Sequence, residues 1–161
     1  MAKYEIKKIT KQKKKEQLVW GLIKELRAAD RRELAAGIAE SGSVENEVYD
    51  SVFLSEECFA AFDREGLIAV WGYREMPGIK GRLIWCLGTD RIRQNRYAFA
   101  VESKKILTEW AARFGVLYNA VGAFNKDAIA WLKYCGAIFH REITIGGEQF
   151  IPFTIESEGR K

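Results

Sequence analysis

Polar and apolar residues alternate over Tyr4-Glu-Ile-Lys-Lys-Ile9, the period-two pattern of a short strand. The spacing then becomes helical. Leu18, Leu22, Ile23 and Leu26 share one face with Trp20 beside it, and Thr10 is placed to cap the helix start. Asp30, with Glu33 three residues on, has the spacing of a capping box. It predicts a second helix that holds Leu34, Ala35 and Ile38 and stops near Ser41-Gly42. Ser43 opens a third helix, with Val44, Val48, Val52 and Phe53 inward. At Glu57 the pattern turns strand-like. Cys58–Phe62, Leu67–Met76 and Gly81–Gly88 are apolar runs separated by Asp63-Arg-Glu-Gly66 and Pro77-Gly78, so a three-strand meander is expected.

The stretch from Gly81 to Ala137 organises the rest. It reads as a strand to Gly88, a polar turn over Thr89–Arg96, and a long helix over about Tyr97–Phe114. A strand at Val116–Val121 and a helix from Asn125 to Gly136 follow. Strand–helix–strand order implies a parallel pair joined by a right-handed crossover. Two last strands, Ala137–Ile145 and Gln149–Ile155, meet at Gly146-Gly147. The expected fold is therefore α/β, a mixed sheet with helices on both faces. Its central parallel pair should splay at the carboxyl ends, where ligands sit. Free N–H groups and the helix dipole at the start of the long helix favour an anion, and Arg91, Arg93 and Arg96 add charge. An ordinary surface turn would look the same, since no Gly follows Gly88 there.

Composition narrows the class. A chain of 161 residues with 48% hydrophobic content suits a single domain over residues 1–161. No apolar run nears the roughly 20 residues of a membrane helix, and Met1–Lys8 has no apolar signal core. Cys58, Cys86 and Cys135 are odd in number and sit in apolar company, which suits buried thiols in a reducing cytoplasm. One His and no CxxC leave a metal site short of ligands, so no metal is expected. The net charge of +4 is concentrated in Lys3, Lys7, Lys8, Lys11, Lys13, Lys14 and Lys15. This run reads as a solvated helix start. No aromatic platform interleaves with it, so a nucleic-acid partner is not expected.

Candidate chemistry is sparse. Asn125 is either a helix cap or an amide that orients a ligand. Tyr134 and Cys135 end the last helix as a possible acid and nucleophile, or as residues packed on the sheet. His140 has no triad partners nearby and reads as structural or surface. Glu65, Glu75 and Asp90 flank the meander strands, as a general base or as solvated turn charges. Trp20, Trp71, Trp85, Trp110 and Trp131 fall on apolar faces and are expected in the core.

The order of elements and the Asn125 segment resemble the GNAT superfamily of acyl-CoA-dependent N-acyltransferases. That family's third motif runs Asn-x-x-Ala, an apolar pair, then Gly and an aromatic. Asn125, Ala128, Trp131-Leu132 and Gly136 stand in those places, with Ala137 in place of the aromatic. Its pyrophosphate turn, Gln/Arg-x-x-Gly-x-Gly/Ala, is matched by Arg93-Gln94-Asn95-Arg96-Tyr97-Ala98, where Arg96 replaces the central Gly. More narrowly, Trp85–Asp90, the Ser103–Leu107 run, Leu117–Asn119, Trp131–Lys133 and Cys135–His140 look like GNAT-related proteins of tailed phages, among them the podophage internal virion protein A. This likeness covers about Leu83–Ile155.

The resemblance implies acetyl-CoA or CoA as cofactor. Backbone at Leu87, Gly88 and Thr89 would hold the pantetheine arm, Arg93 to Ala98 the pyrophosphate, with Asn125 nearby. Arg96 would either block the cofactor or contact its phosphate. The family's usual acid, a Tyr seven residues after the Asn, is Leu132 here. Tyr134 lies about 200° further round the helix. No residue is assigned as catalytic; Tyr134 and Glu75 are the candidates. Three readings follow: an N-acyltransferase acting on an amine; a non-catalytic virion or assembly protein, contacting phage structural proteins; and a nucleic-acid contact through the lysine run. The first two imply the host cytoplasm, or association with the virion.

Overall fold

The computed structural model describes residues 4–38 and 42–157. Its strands are β1 (Glu5–Lys8), β2 (Glu57–Asp63), β3 (Gly66–Arg74), β4 (Arg82–Gly88), β5 (Val116–Gly122), β6 (Ile138–Phe139), β7 (Ile143–Ile145) and β8 (Glu148–Glu156). Its helices are α1 (Gln12–Glu25), α2 (Ala28–Ala36), α3 (Val44–Leu54), α4 (Arg96–Phe114) and α5 (Lys126–Tyr134). One sheet runs β1-β2-β3-β4-β5-β8-β6, with β7 also on β8.

Two apolar layers cover the two faces. Leu18, Val19 and Leu22 of α1 pack with Val48 and Val52 of α3 onto Val70 and Leu87 of the sheet. On the other face Phe99, Leu107 and Trp110 of α4 and Leu132 of α5 pack onto Trp71, Ile84, Leu117 and Phe153. Alternation along each strand feeds both layers, as expected of a sheet buried on both sides.

The expected parallel pair is present and short. β4 and β5 are in register only at Arg82 with Leu117 and Leu83 with Tyr118. Beyond that point they part, β4 staying on β3 and β5 staying on β8 as far as Gly122. Gly81 sits where the two approach. It has φ of +90°, and a Cβ there would lie 2.2 Å from the Val116 carbonyl oxygen, so only glycine fits.

Several expectations are corrected. Thr10 does not cap α1; the N-cap is Lys11, without a side-chain hydrogen bond. The Asp30–Glu33 capping box does not form, because α2 has already started at Ala28 and both carboxylates point into the sheet's opening. The expected end of that helix near Ser41 falls outside the described residues. Instead of one penultimate strand, β6 and β7 are separate. Three residues, His140 to Glu142, stand opposite two on β8, a bulge beside Pro152, which has no N–H to offer. Trp20 is not in the core but 68% exposed, on the side of α1 away from Leu18 and Leu22. Ser43 caps α3 as expected, accepting from the Asn46 N–H at 3.0 Å.

Leu22 is fully buried between α1 and the sheet. Leu22→Ala should cost about 2–5 kcal/mol, read from the urea midpoint at unchanged slope.

A candidate active site in the splayed sheet

Where β4 and β5 part, backbone groups lose their ladder partners. The Thr89 N–H donates to the Ile68 carbonyl across β3, so alternation turns Leu87 and Trp85 toward β3. Gly88, Cys86 and Ile84 then face the gap. The Gly88 N–H donates to Asp30 Oδ2 at 2.7 Å, and its carbonyl accepts from the Arg27 N–H at 2.8 Å. The Ile84 carbonyl accepts from Asn119 Nδ2 at 2.5 Å. Between them Cys86 turns its backbone N–H and carbonyl into the opening, with its half-buried side chain toward α4.

Helix α2 lies across the mouth of this opening. Asp30 is buried and takes a two-point contact from Arg27, at 2.8 and 3.2 Å, besides the Gly88 N–H. One turn on, Glu33 Oε2 accepts from the Gly122 N–H at 2.8 Å and from Asn125 Nδ2 at 3.0 Å. Each diverging strand is thus tied by its last N–H to a carboxylate of one helix. Burial raises the Glu33 carboxyl above the usual range and Asp30 raises it further, against the hydrogen bonds from Asn125 and Gly122. Burial and the Asp30 charge likewise push the Cys86 thiol up, so it is no thiolate nucleophile.

The turn into α4 is built differently from an open phosphate loop. Residues Asp90–Asn95 form a 3₁₀ turn that runs straight into α4. Thr89 Oγ1 receives the Arg91 N–H and donates to the β3 carbonyls. Arg91 reaches the β2–β3 turn at Asp63 and Glu65, and Asn95 Nδ2 donates to Asp63 Oδ2 at 2.9 Å. Arg91 and Asn95 therefore serve the fold, and Ile92 lies over Gly88. Arg96 and Tyr97 stay exposed. Arg93 is also exposed and stands 3.8 Å from Asp127.

A cavity of about 1250 Å³ passes through the opening and reaches both faces. On the α2–α3 side its wall includes Glu33, Glu47, Asp50 and Trp85; on the α4–α5 side, Cys86, Arg93, Arg96, Tyr97 and Tyr134. Trp71 also borders it, 6% exposed, and its indole N–H has no partner among the described residues. Asn125 caps α5, its Oδ1 accepting from the Ala128 N–H at 3.3 Å, and its Nδ2 donates to Glu33 at 3.0 Å. Leu132 is core. Tyr134 is 47% exposed with the Lys104 ammonium 4.7 Å from its ring centre, so it does not pack on the sheet. Cys135 is buried, and His140 is at the surface beside Thr154. Glu75 lies past the far end of β3, 3.8 Å from Arg82 and outside the cavity wall. Among the described residues no cluster of His, Cys, Asp or Glu could hold a metal.

Solved structures share this fold. An IAA acetyltransferase from Bacillus cereus matches with a TM-score of 0.61 at 15% identity, over 95% of this chain and 99% of that one. The Escherichia coli ribosomal-protein-S18-alanine N-acetyltransferase matches with a TM-score of 0.65 at 12% identity, over 95% and 93%. A Vibrio cholerae spermidine N-acetyltransferase in complex with CoA and spermine matches with a TM-score of 0.63 at 13% identity, over 96% of each. The fold is the GNAT fold. No family model matches the sequence, and no curated protein does. Among the described residues no helix is long and apolar enough to cross a membrane.

Arg27, Asp30, Glu33, Cys86 and Asn119 were not read as site residues from the sequence. The three-residue spacing of Arg27, Asp30 and Glu33 was the available signal, and the same spacing fits a helix cap. Because the folded Glu33 carboxyl titrates above its unfolded value, the native state binds the extra proton there. Stability from this group is fully present below the ordinary carboxylate range and is lost as pH rises through the folded value. Glu33→Gln keeps an acceptor for Gly122 and Asn125. Melting curves from pH 4 to 8 should show the wild type losing ground to Glu33→Gln as pH rises; a constant difference would reject this assignment.

Proposed function

We propose that the protein is a GNAT-type N-acyltransferase using acetyl-CoA or a related acyl-CoA. One observation supports this most: the unpaired backbone of Cys86 opens into a cavity that reaches both faces of the sheet. A donor can enter from the α4 side and an acceptor from the α2 side. When bound, acyl-CoA supplies the thioester. The Cys86 N–H is the strand donor available to a carbonyl there, since Leu87, Gly88 and Thr89 have their backbone engaged within the fold. Arg93 and Arg96 supply charge for a pyrophosphate at the 3₁₀ turn, with Tyr97 and Asn125 also on the cavity wall; Gln94, Asn95 and Ala98 belong to the same segment but do not line the cavity. Arg96 contacts the phosphate in this reading and does not block it.

On the acceptor side Glu33, Glu47 and Asp50 favour a cationic amine. Glu33, held by two hydrogen bonds, is the group placed to take a proton from that amine. Leu132 offers no proton to a departing thiolate, which predicts slow turnover.

The same Leu132, with the Gly88 N–H consumed by Asp30, supports a second reading: a phage-encoded virion or assembly protein that keeps the fold without chemistry. Ligand binding separates the two. At 1 mM acetyl-CoA, a Kd near 10 µM would add about 2.7 kcal/mol and raise Tm by roughly 5–10 °C. Arg96→Gly should weaken acetyl-CoA about tenfold or more, the loss of a charge-assisted contact. No shift at millimolar ligand supports the particle protein.

A further inference from the structure

The outer face of α1 holds a stripe that the fold does not use. Lys13, Gln17, Trp20 and Lys24 follow i, i+4, i+7, i+11 spacing, so they share one side of the helix, opposite Leu18, Val19 and Leu22. All four are exposed, Trp20 at 68%. Among the described residues Lys13, Lys14 and Lys24 have no ion-pair partner, whereas Lys7 and Lys8 are paired with Glu5 and Glu57. Glu16 borders the stripe on one side and Lys14 on the other. The first turn of α1 has no acidic residue, no side-chain cap, and Lys13, Lys14 and Lys15 against the positive end of the helix dipole. Each such charge opposes the helix dipole, a local penalty that an anionic partner would relieve.

We infer that this face of α1 binds single-stranded nucleic acid, with a base stacked on Trp20 and phosphates on Lys13, Lys14 and Lys24. From Lys13 to Lys24 the stripe is about 16 Å long at 1.5 Å per residue, room for two to three extended nucleotides. A membrane surface fits less well. The apolar side of α1 is already buried in the core, leaving a single ring to insert. The stripe faces away from the cavity, so the inference is independent of the acyltransferase reading.

The experiment is fluorescence anisotropy of labelled 15-nucleotide oligo(dT) on the whole protein, from 20 to 200 mM NaCl. Three phosphate contacts predict a log–log slope near −2, about a 20-fold loss between 50 and 200 mM. Trp20→Ala should weaken binding about fivefold or more, and Lys13→Glu with Lys24→Glu should abolish it at 100 mM salt. These are surface positions, and a melting temperature that is unchanged or higher confirms that the fold is kept. Absence of binding at 20 mM salt overturns the inference. So does binding that ignores Trp20→Ala, or protein captured by vesicles with 30% phosphatidylglycerol but not by the oligonucleotide.

Discussion

Two carboxylates on one short helix hold the ends of two strands that cannot hold each other. Beyond Leu83 and Tyr118 the parallel ladder stops, and the N–H groups of Gly88 and Gly122 would be left without strand partners. Asp30 and Glu33, one turn apart on α2, receive them. A buried, unpaired N–H costs about 1–3 kcal/mol, so the clasp lets the sheet stay open without that penalty. It also fixes the width of the opening, because both anchors belong to one rigid turn of helix.

The clasp has an electrostatic consequence. Two acidic groups share one guanidinium, Arg27, which is committed to Asp30. Asp30 therefore has compensation close at hand, while Glu33 relies on neutral donors and is pushed toward its protonated form. Breaking the Arg27–Asp30 pair would leave an uncompensated charge beside Cys86 and Gly88. Glu33, which helps close the fold, thus also sets the polarity at the floor of the cavity, and in the acyltransferase reading its preference for a proton suits exchange with an amine.

The other side of the opening depends on the meander. Asp63, at the end of β2, gathers Arg91 and Asn95 and so pins the turn that leads into α4. Arg96 lies outside that network, lines the cavity, and has no ion-pair partner among the described residues. A glycine-rich turn would present backbone to an anion; this one presents a side-chain cation. The change shifts any anion contact from fixed dipoles to a mobile charge, a weaker form of pre-organisation.

The sequence by itself determined the order of elements, the parallel pair at Gly81–Gly88 and Val116–Val121, the two buried layers and the cap at Asn125. These depend on local periodicity and on turn residues, which act over a few positions. The buried face of α1, with Leu18, Leu22 and Leu26, was also legible in the sequence; tertiary structure alone decided that Trp20, expected in the core, is displayed beside Lys13 and Lys24. It alone decided that Asp30 and Glu33 leave their own helix to meet N–H groups 58 and 89 residues away. A capping box and a long-range clasp share the same spacing. What separates them is whether a strand end with an unpaired N–H stands opposite, and that follows only once the sheet has opened.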